Sequence, residues 1–253
     1  MKAITANSLF QTWCIYGPSG GGKTTLAATA PKPIFMDSNQ GLLSIAGRSG
    51  FEHVRGEAIR NFPHLERAYT YCTGTGKKDW SKLFQSIIFD HFDDVQAIVL
   101  SELGEAASER DSRRNPDTLE QRDWGIMASR LKRYIRKFKN VPMHKILICS
   151  EMEDQETGKM RPFLQGSLGR QLPYFCDNIA YLRIGKNGRR FLHLNTSSEF
   201  EAKTRAWWLP PEARKIEIDF DNTKQLSELF ALIAAGPESV SKRSTKPSST
   251  RSK

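Results

Sequence analysis

The residues with the clearest chemistry are Gly17, Pro18, Ser19, Gly20, Gly21, Gly22, Lys23 and Thr24, with Thr25 after them. They match the pattern G-x-x-x-x-G-K-[ST] in full. Glycines allow successive backbone N–H groups to point inward where a Cβ would forbid it. Together with the positive end of a following helix, these donors form an anion cradle. Lys23 adds a charge for the β- and γ-phosphates, and Thr24 offers a hydroxyl to Mg²⁺. The pattern calls for a nucleoside triphosphate, taken as ATP, with Mg²⁺.

Acting on that triphosphate needs more. A carboxylate at the end of a later apolar strand should hold the metal through water, and another group should orient or deprotonate the attacking water. Val95–Leu100 (VQAIVL) reads as that strand, which places Ser101 and then Glu102 at its end. Neighbouring side chains on a strand face opposite ways, so Ser101 is the one facing the site, and it carries no charge. The end of an earlier strand, FMDSNQG, offers Asp37 and Asn39. Asn39 can position a water but cannot take its proton. Asp37 is either the missing carboxylate, metal-bound through water, or a cap on the following turn.

The elements that must position these groups alternate. Strands are expected over 11–16, 34–37, 51–54, 95–100 and 145–149. Helices are expected over 23–30, 63–71, 80–89 and 223–234, with another starting in 41–46. The clearest helix is Leu119–Lys139, where Met127, Leu131, Tyr134, Ile135 and Phe138 share one face. Its cations Arg130, Lys132, Arg133, Arg136, Lys137 and Lys139 read as a solvated face. Asn178–Ile184 and Arg190–Leu194, joined by GKNG, form a hairpin signal. This order implies an α/β fold: a mainly parallel sheet with helices on both faces and an antiparallel hairpin at one edge. Residues 1–235 read as one domain. Residues 236–253, rich in Ser and Lys, read as a disordered basic tail.

The net charge is +10, half of it from Lys242, Arg243, Lys246, Arg251 and Lys253 in the tail. Such a surplus favours polyanions, nucleic acid above all. Cys14, Cys72, Cys149 and Cys176 form no CxxC pair and read as buried thiols of a cytoplasmic protein. Neither a signal peptide nor a run of membrane-spanning length is seen, so no membrane partner is expected. The histidines lack metal-ligand spacing. Trp124, Trp207 and Trp208 read as core or interface anchors rather than as stacking platforms.

Four pieces in order, GPSGGGKT, MDSNQGLLSI, AIVLSELGEA and FEAKTR, resemble the small phage nucleotide-binding proteins with a RecA-like core, including the phage single-strand-annealing ATPases. The resemblance runs from Thr12 to Ile233 and implies a RecA-like P-loop NTPase fold. It implies a water-activating glutamate where Asn39 stands and a metal-binding aspartate where Ser101 stands. Lys203 and Arg205 resemble basic pairs that reach a neighbouring subunit's γ-phosphate, which implies a homo-oligomeric ring or filament. It further implies contact with single-stranded DNA through two loops, Gly104–Asp123 with Arg110, Arg113 and Arg114, and Glu151–Gln171 with Lys159, Arg161 and Arg170. Three functions follow. The first is an oligomeric, ATP-dependent protein of phage DNA recombination or replication. The second is a nucleotide-switched assembly protein with little ATPase activity. The third is a P-loop kinase whose lid is Ser108–Arg122.

Overall fold

A computed structural model of the protein describes residues 10–237. The basic tail expected at 236–253 falls, from residue 238 onward, outside the described residues. In chain order the elements are β1 (Thr12–Tyr16), α1 (Lys23–Ala28), β2 (Pro33–Asp37), a 3₁₀ turn (Gly41–Ser44), β3 (Arg55–Ala58) and α2 (Phe62–Cys72). Next come β4 (Ser86–Asp90), α3 (Phe92–Arg110), α4 (Gln121–Phe138), β5 (His144–Cys149), β6 (Glu151–Glu153) and β7 (Met160–Pro162). The chain continues with α5 (Ser167–Phe175), β8 (Asn178–Ile184), β9 (Arg190–His193), β10 (Lys203–Thr204), β11 (Lys215–Glu217) and α6 (Gln225–Ala234).

The main sheet runs β11-β9-β8-β1-β5-β4-β2-β3, with β10 also paired to β8. The strands from β8 to β3 are mutually parallel, while β9, β10 and β11 are antiparallel to their neighbours. This is the α/β architecture expected, with its hairpin at one edge. Alternation along β1 builds two cores. Cys14 and Tyr16 face the layer of α2, α3, α4 and α5, while Trp13 and Ile15 face α1 and α6. Each large apolar side chain buried in these layers contributes about 1.5–3 kcal/mol. Among the described residues no helix is long and apolar enough to cross a membrane. The four cysteines are buried and unbridged.

Two expected elements are exchanged, and the exchange matters for the site. Trp80–Phe89, expected as a helix, is a 3₁₀ turn at Trp80–Lys82 followed by β4. VQAIVL, expected as a strand, lies inside α3. Six consecutive residues that are mostly apolar look like a buried strand, but Phe92, Val95, Val99 and Leu103 recur at helical spacing and are buried, with Gln96, Leu100 and Gly104 beside them. Asp93 and Asp94 in the first turn suit the positive helix end. The third strand lies at Arg55–Ala58 rather than 51–54, and α5 and the β6–β7 hairpin had no sequence signal. The strongest helix, α4, lies where expected and is fixed at its start by a capping box between Glu120 and Asp123.

Candidate nucleotide site

β1 delivers the glycine loop at its C-terminal end, and α1 begins at Lys23. The crest, Ser19 and Gly20, is open to solvent, while Gly17 and Gly21 are buried beside β8. Gly22 caps α1 with φ 92°, and a Cβ there would lie 2.5 Å from the ring of Phe220. Only glycine fits that conformation and that contact. The Lys23 ammonium donates to the carbonyls of Gly17 and Pro18, both at 2.9 Å. Burial lowers its pKa, opposed by Asp93 first and then Asp90. Thr25 is buried in the first turn of α1.

The carboxylate missing from the sequence reading is Asp90. Parallel pairing sets β4 between β2 and β5, with Asp90 level with Asp37 and Ile148. The Thr24 hydroxyl donates to Asp90 Oδ2 at 2.7 Å. Asp90 is fully buried, and its Oδ1 accepts no hydrogen bond. His91 Nδ1 lies 3.2 Å away without hydrogen-bond alignment. Burial raises the Asp90 pKa, while His91 and the Thr24 hydroxyl hold it down. A buried carboxylate oxygen with no partner is costly. Beside a threonine hydroxyl at a helix N-terminus, it fits a hard divalent cation that takes oxygen ligands. Gly41 closes this corner: a Cβ there would stand 2.7 Å from Asp90 Oδ2.

Two more acids follow on the first turn of α3. Asp93 Oδ1 accepts the Ser150 N–H at 3.2 Å, which holds it at the C-terminal end of β5, the strand between β1 and β4. Asp94 Oδ2 accepts from Asn39 Nδ2 at 2.9 Å and lies 3.0 Å from Ser38 Oγ. Asn39 is therefore at the edge of the site, tied to an acid. Asp37 takes the capping role: its carboxylate accepts the N–H groups of Asn39 at 3.2 Å and Gly41 at 3.0 Å.

Other expected site residues lie elsewhere. Ser101 is exposed on α3 and bonds Glu105, and Glu102 accepts the Phe62 N–H at 2.9 Å. Nine residues of helix separate Ser101 from Phe92, about 14 Å along the axis, so neither residue borders the loop. Lys203 and Arg205 sit at the opposite end of the sheet. β10 pairs with Ile179 and Asn178 at the start of β8, whereas the loop follows the end of β1. Lys203 donates to the Pro173 carbonyl and Arg205 to Asp177. The sequence signal that marks Asp90 is SIIFD, an apolar run closed by one acid. It was masked because the run, read together with Trp80 and Phe84, takes on helical spacing.

A family model described as an AAA domain, AAA_24, matches residues 10–206. The chain belongs to this AAA domain family. No curated protein matches the chain. The loop and its flanking strand and helix are therefore those of a P-loop NTPase domain, a class that binds nucleotide, generally with Mg²⁺. The matched span of the AAA domain includes Asp90, Asp93, Asp94 and Asn39. Phe220, whose ring abuts Gly22, comes from beyond it.

Proposed function

We propose that this AAA domain binds Mg²⁺-ATP, hydrolyses it slowly, and couples the bound nucleotide to single-stranded DNA. The setting is the phage recombination or replication implied by the sequence resemblance. The observation that carries the nucleotide part is the Thr24–Asp90 pair beneath the loop, with one buried carboxylate oxygen left over. A divalent cation at that oxygen would neutralise charge on the phosphates. Lys23 exchanges the carbonyls of Gly17 and Pro18 for phosphate oxygens. Asp93, on the strand side of the loop, takes the proton of the attacking water as its oxygen joins the γ-phosphorus and the bond to the β-phosphate oxygen breaks. Asn39 holds Asp94 and stands ready to orient that water. The DNA part is supported by the net charge of +10.

One observation favours slow turnover or a switch. The acid expected at position 39 is an amide already bonded to Asp94. Lys203 and Arg205 lie too far from their own loop to touch its phosphates, so a role for them at a γ-phosphate requires a neighbouring subunit. The test is calorimetric titration with Mg²⁺-ATP, paired with phosphate release with and without single-stranded DNA. Wild type should bind. Lys23→Ala and Asp90→Ala should each weaken Mg²⁺-ATP binding at least about ten-fold, the scale of one charged contact. Absence of heat for wild type with any nucleotide would remove the reading.

A further inference from the structure

The loops expected to meet DNA are poorly suited to it. Four of their seven cations are spent on acids: Arg113 on Asp111, Arg114 on Glu120 and Asp123, Arg161 on Asp154 and Arg170 on Glu156. The opposite end of the sheet is different. After Asp123, α4 has no acidic residue; its exposed face carries Arg133 and Arg136, Lys139 caps its end, and none of the three is in an ion pair among the described residues. Arg136 lies 5.2 Å from the ring centroid of Phe175 on α5. Next to Phe175 is Tyr174, 75% exposed, whose carbonyl accepts from Arg205. Trp207, 72% exposed, follows two residues later. Lys139 and Arg205 also line one cavity of about 380 Å³ with Phe10, Thr12, Asn178 and Trp208. Two acids beside this surface are already paired, Asp177 with Arg205 and Glu66 with Lys137.

We infer that the surface formed by Arg133 and Arg136 of α4, Lys139 at its C-terminal cap, Tyr174 of α5 and Trp207 binds single-stranded nucleic acid, at the end of the sheet away from the nucleotide loop. This rests on the nucleic-acid part of the proposed function and gives it a location. Unpaired cations along a helix meet phosphates, and exposed rings beside them offer π-faces for bases. Two exposed aromatics among cations, Tyr174 and Trp207 with its ring held edge-on by Trp208, suit a stacked strand. A protein partner would call for a continuous apolar patch, with charge depleted at its centre. The basic face of α4 is then more than a solvated side, and Trp207 is a platform rather than a core anchor.

The experiment titrates full-length protein into a fluorescent oligo(dT) and follows anisotropy at several salt concentrations. Tryptophan quenching and sedimentation are measured on the same samples. Arg136→Ala/Lys139→Ala should bind at least about ten-fold more weakly and flatten the log–log salt slope by about 1.4, two phosphates at 0.7 each. Trp207→Ala and Tyr174→Ala should each lose about ten-fold, and Trp207→Phe should lose most of the quenching. Arg113→Ala/Arg170→Ala should bind as wild type does. Mg²⁺-ATP binding, unchanged in every variant, reports that they fold. If wild type binds oligo(dT) and the α4, Tyr174 and Trp207 variants bind it equally well, the inference is overturned while the proposed function stands. Variants that instead dissolve an oligomer and keep full DNA affinity make this a self-association face, which also overturns it. If wild type ignores oligo(dT) at low salt, the nucleic-acid part of the proposed function falls with it, and nucleotide binding is untouched.

Discussion

Two buried lysines mark the two ends of β1. Lys23 lies beyond its C-terminal end and Lys145 beside its first residue, Thr12. Both spend their ammonium protons on backbone carbonyls. Lys23 uses Gly17 and Pro18, and Lys145 uses Met143 at 2.9 Å, Val141 at 3.1 Å and Lys139 at 3.4 Å. Burial lowers the pKa of both. Their surroundings set them apart. Lys23 stands under an open crest, beside Asp90 and Asp93, so its carbonyls can be exchanged for phosphate oxygens. Lys145 ties down the turn after α4, and that turn offers it no exchangeable partner. A buried cation does chemistry where its partners can be replaced, and structural work where they cannot.

The largest expected effect tests whether the loop end is the reactive one. Asp93→Asn keeps the shape and the contact to Ser150, so Mg²⁺-ATP should bind as in wild type. Phosphate release should fall about 10²–10⁴-fold, the usual worth of a positioned base, and chromatography of the bound nucleotide should recover intact ATP. Unchanged turnover would leave Asp93 a structural cap.

A smaller effect tests the structural end. Burial takes Lys145 down to about 8 and neighbouring His144 down to about 4. Both groups bind protons less readily when folded, so the unfolded chain holds more protons between each folded value and its ordinary value. Stability should therefore rise with pH through two windows, from about 4 to 6.5 and from about 8 to 10.5, by roughly 3 kcal/mol in each. Urea melts across this range check it. Lys145→Met should flatten the upper window and only narrow the lower one, because burial is the larger cause of the His144 shift and the Lys145 charge the smaller.

The smallest effect is an expected absence of change. Ser101→Asp, which would restore a metal-binding acid if residue 101 ended a strand, puts a charge on the exposed face of α3 instead. Stability should move by no more than about 0.5 kcal/mol, with phosphate release unaltered. A rise in turnover would mean that residue 101 reaches the nucleotide.

Much of the fold was legible because its signals are local. The glycine loop, the periodicity of α4 and the GKNG hairpin each need only a short window of residues. The exchange of β4 for α3 was not legible, because SIIFD and VQAIVL are both short apolar runs. Which becomes a strand depends on which pairs with β2 and β5. The site divided the same way. Lys23 and Thr24 were readable, while Asp90 became visible only through its register with Asp37 and Ile148.

The amino-acid sequence by itself determined that a P-loop exists, because a run of glycines closed by Lys23 and Thr24 dictates the local backbone and its donors. Tertiary structure alone decided which acid meets that loop. Sheet pairing sets Asp90 against Thr24 across 66 residues of chain, and the same pairing carries Ser101, Lys203 and Arg205 away from it. A carboxylate binds a metal by position, and position across a parallel sheet is fixed by hydrogen bonds between strands far apart in the chain.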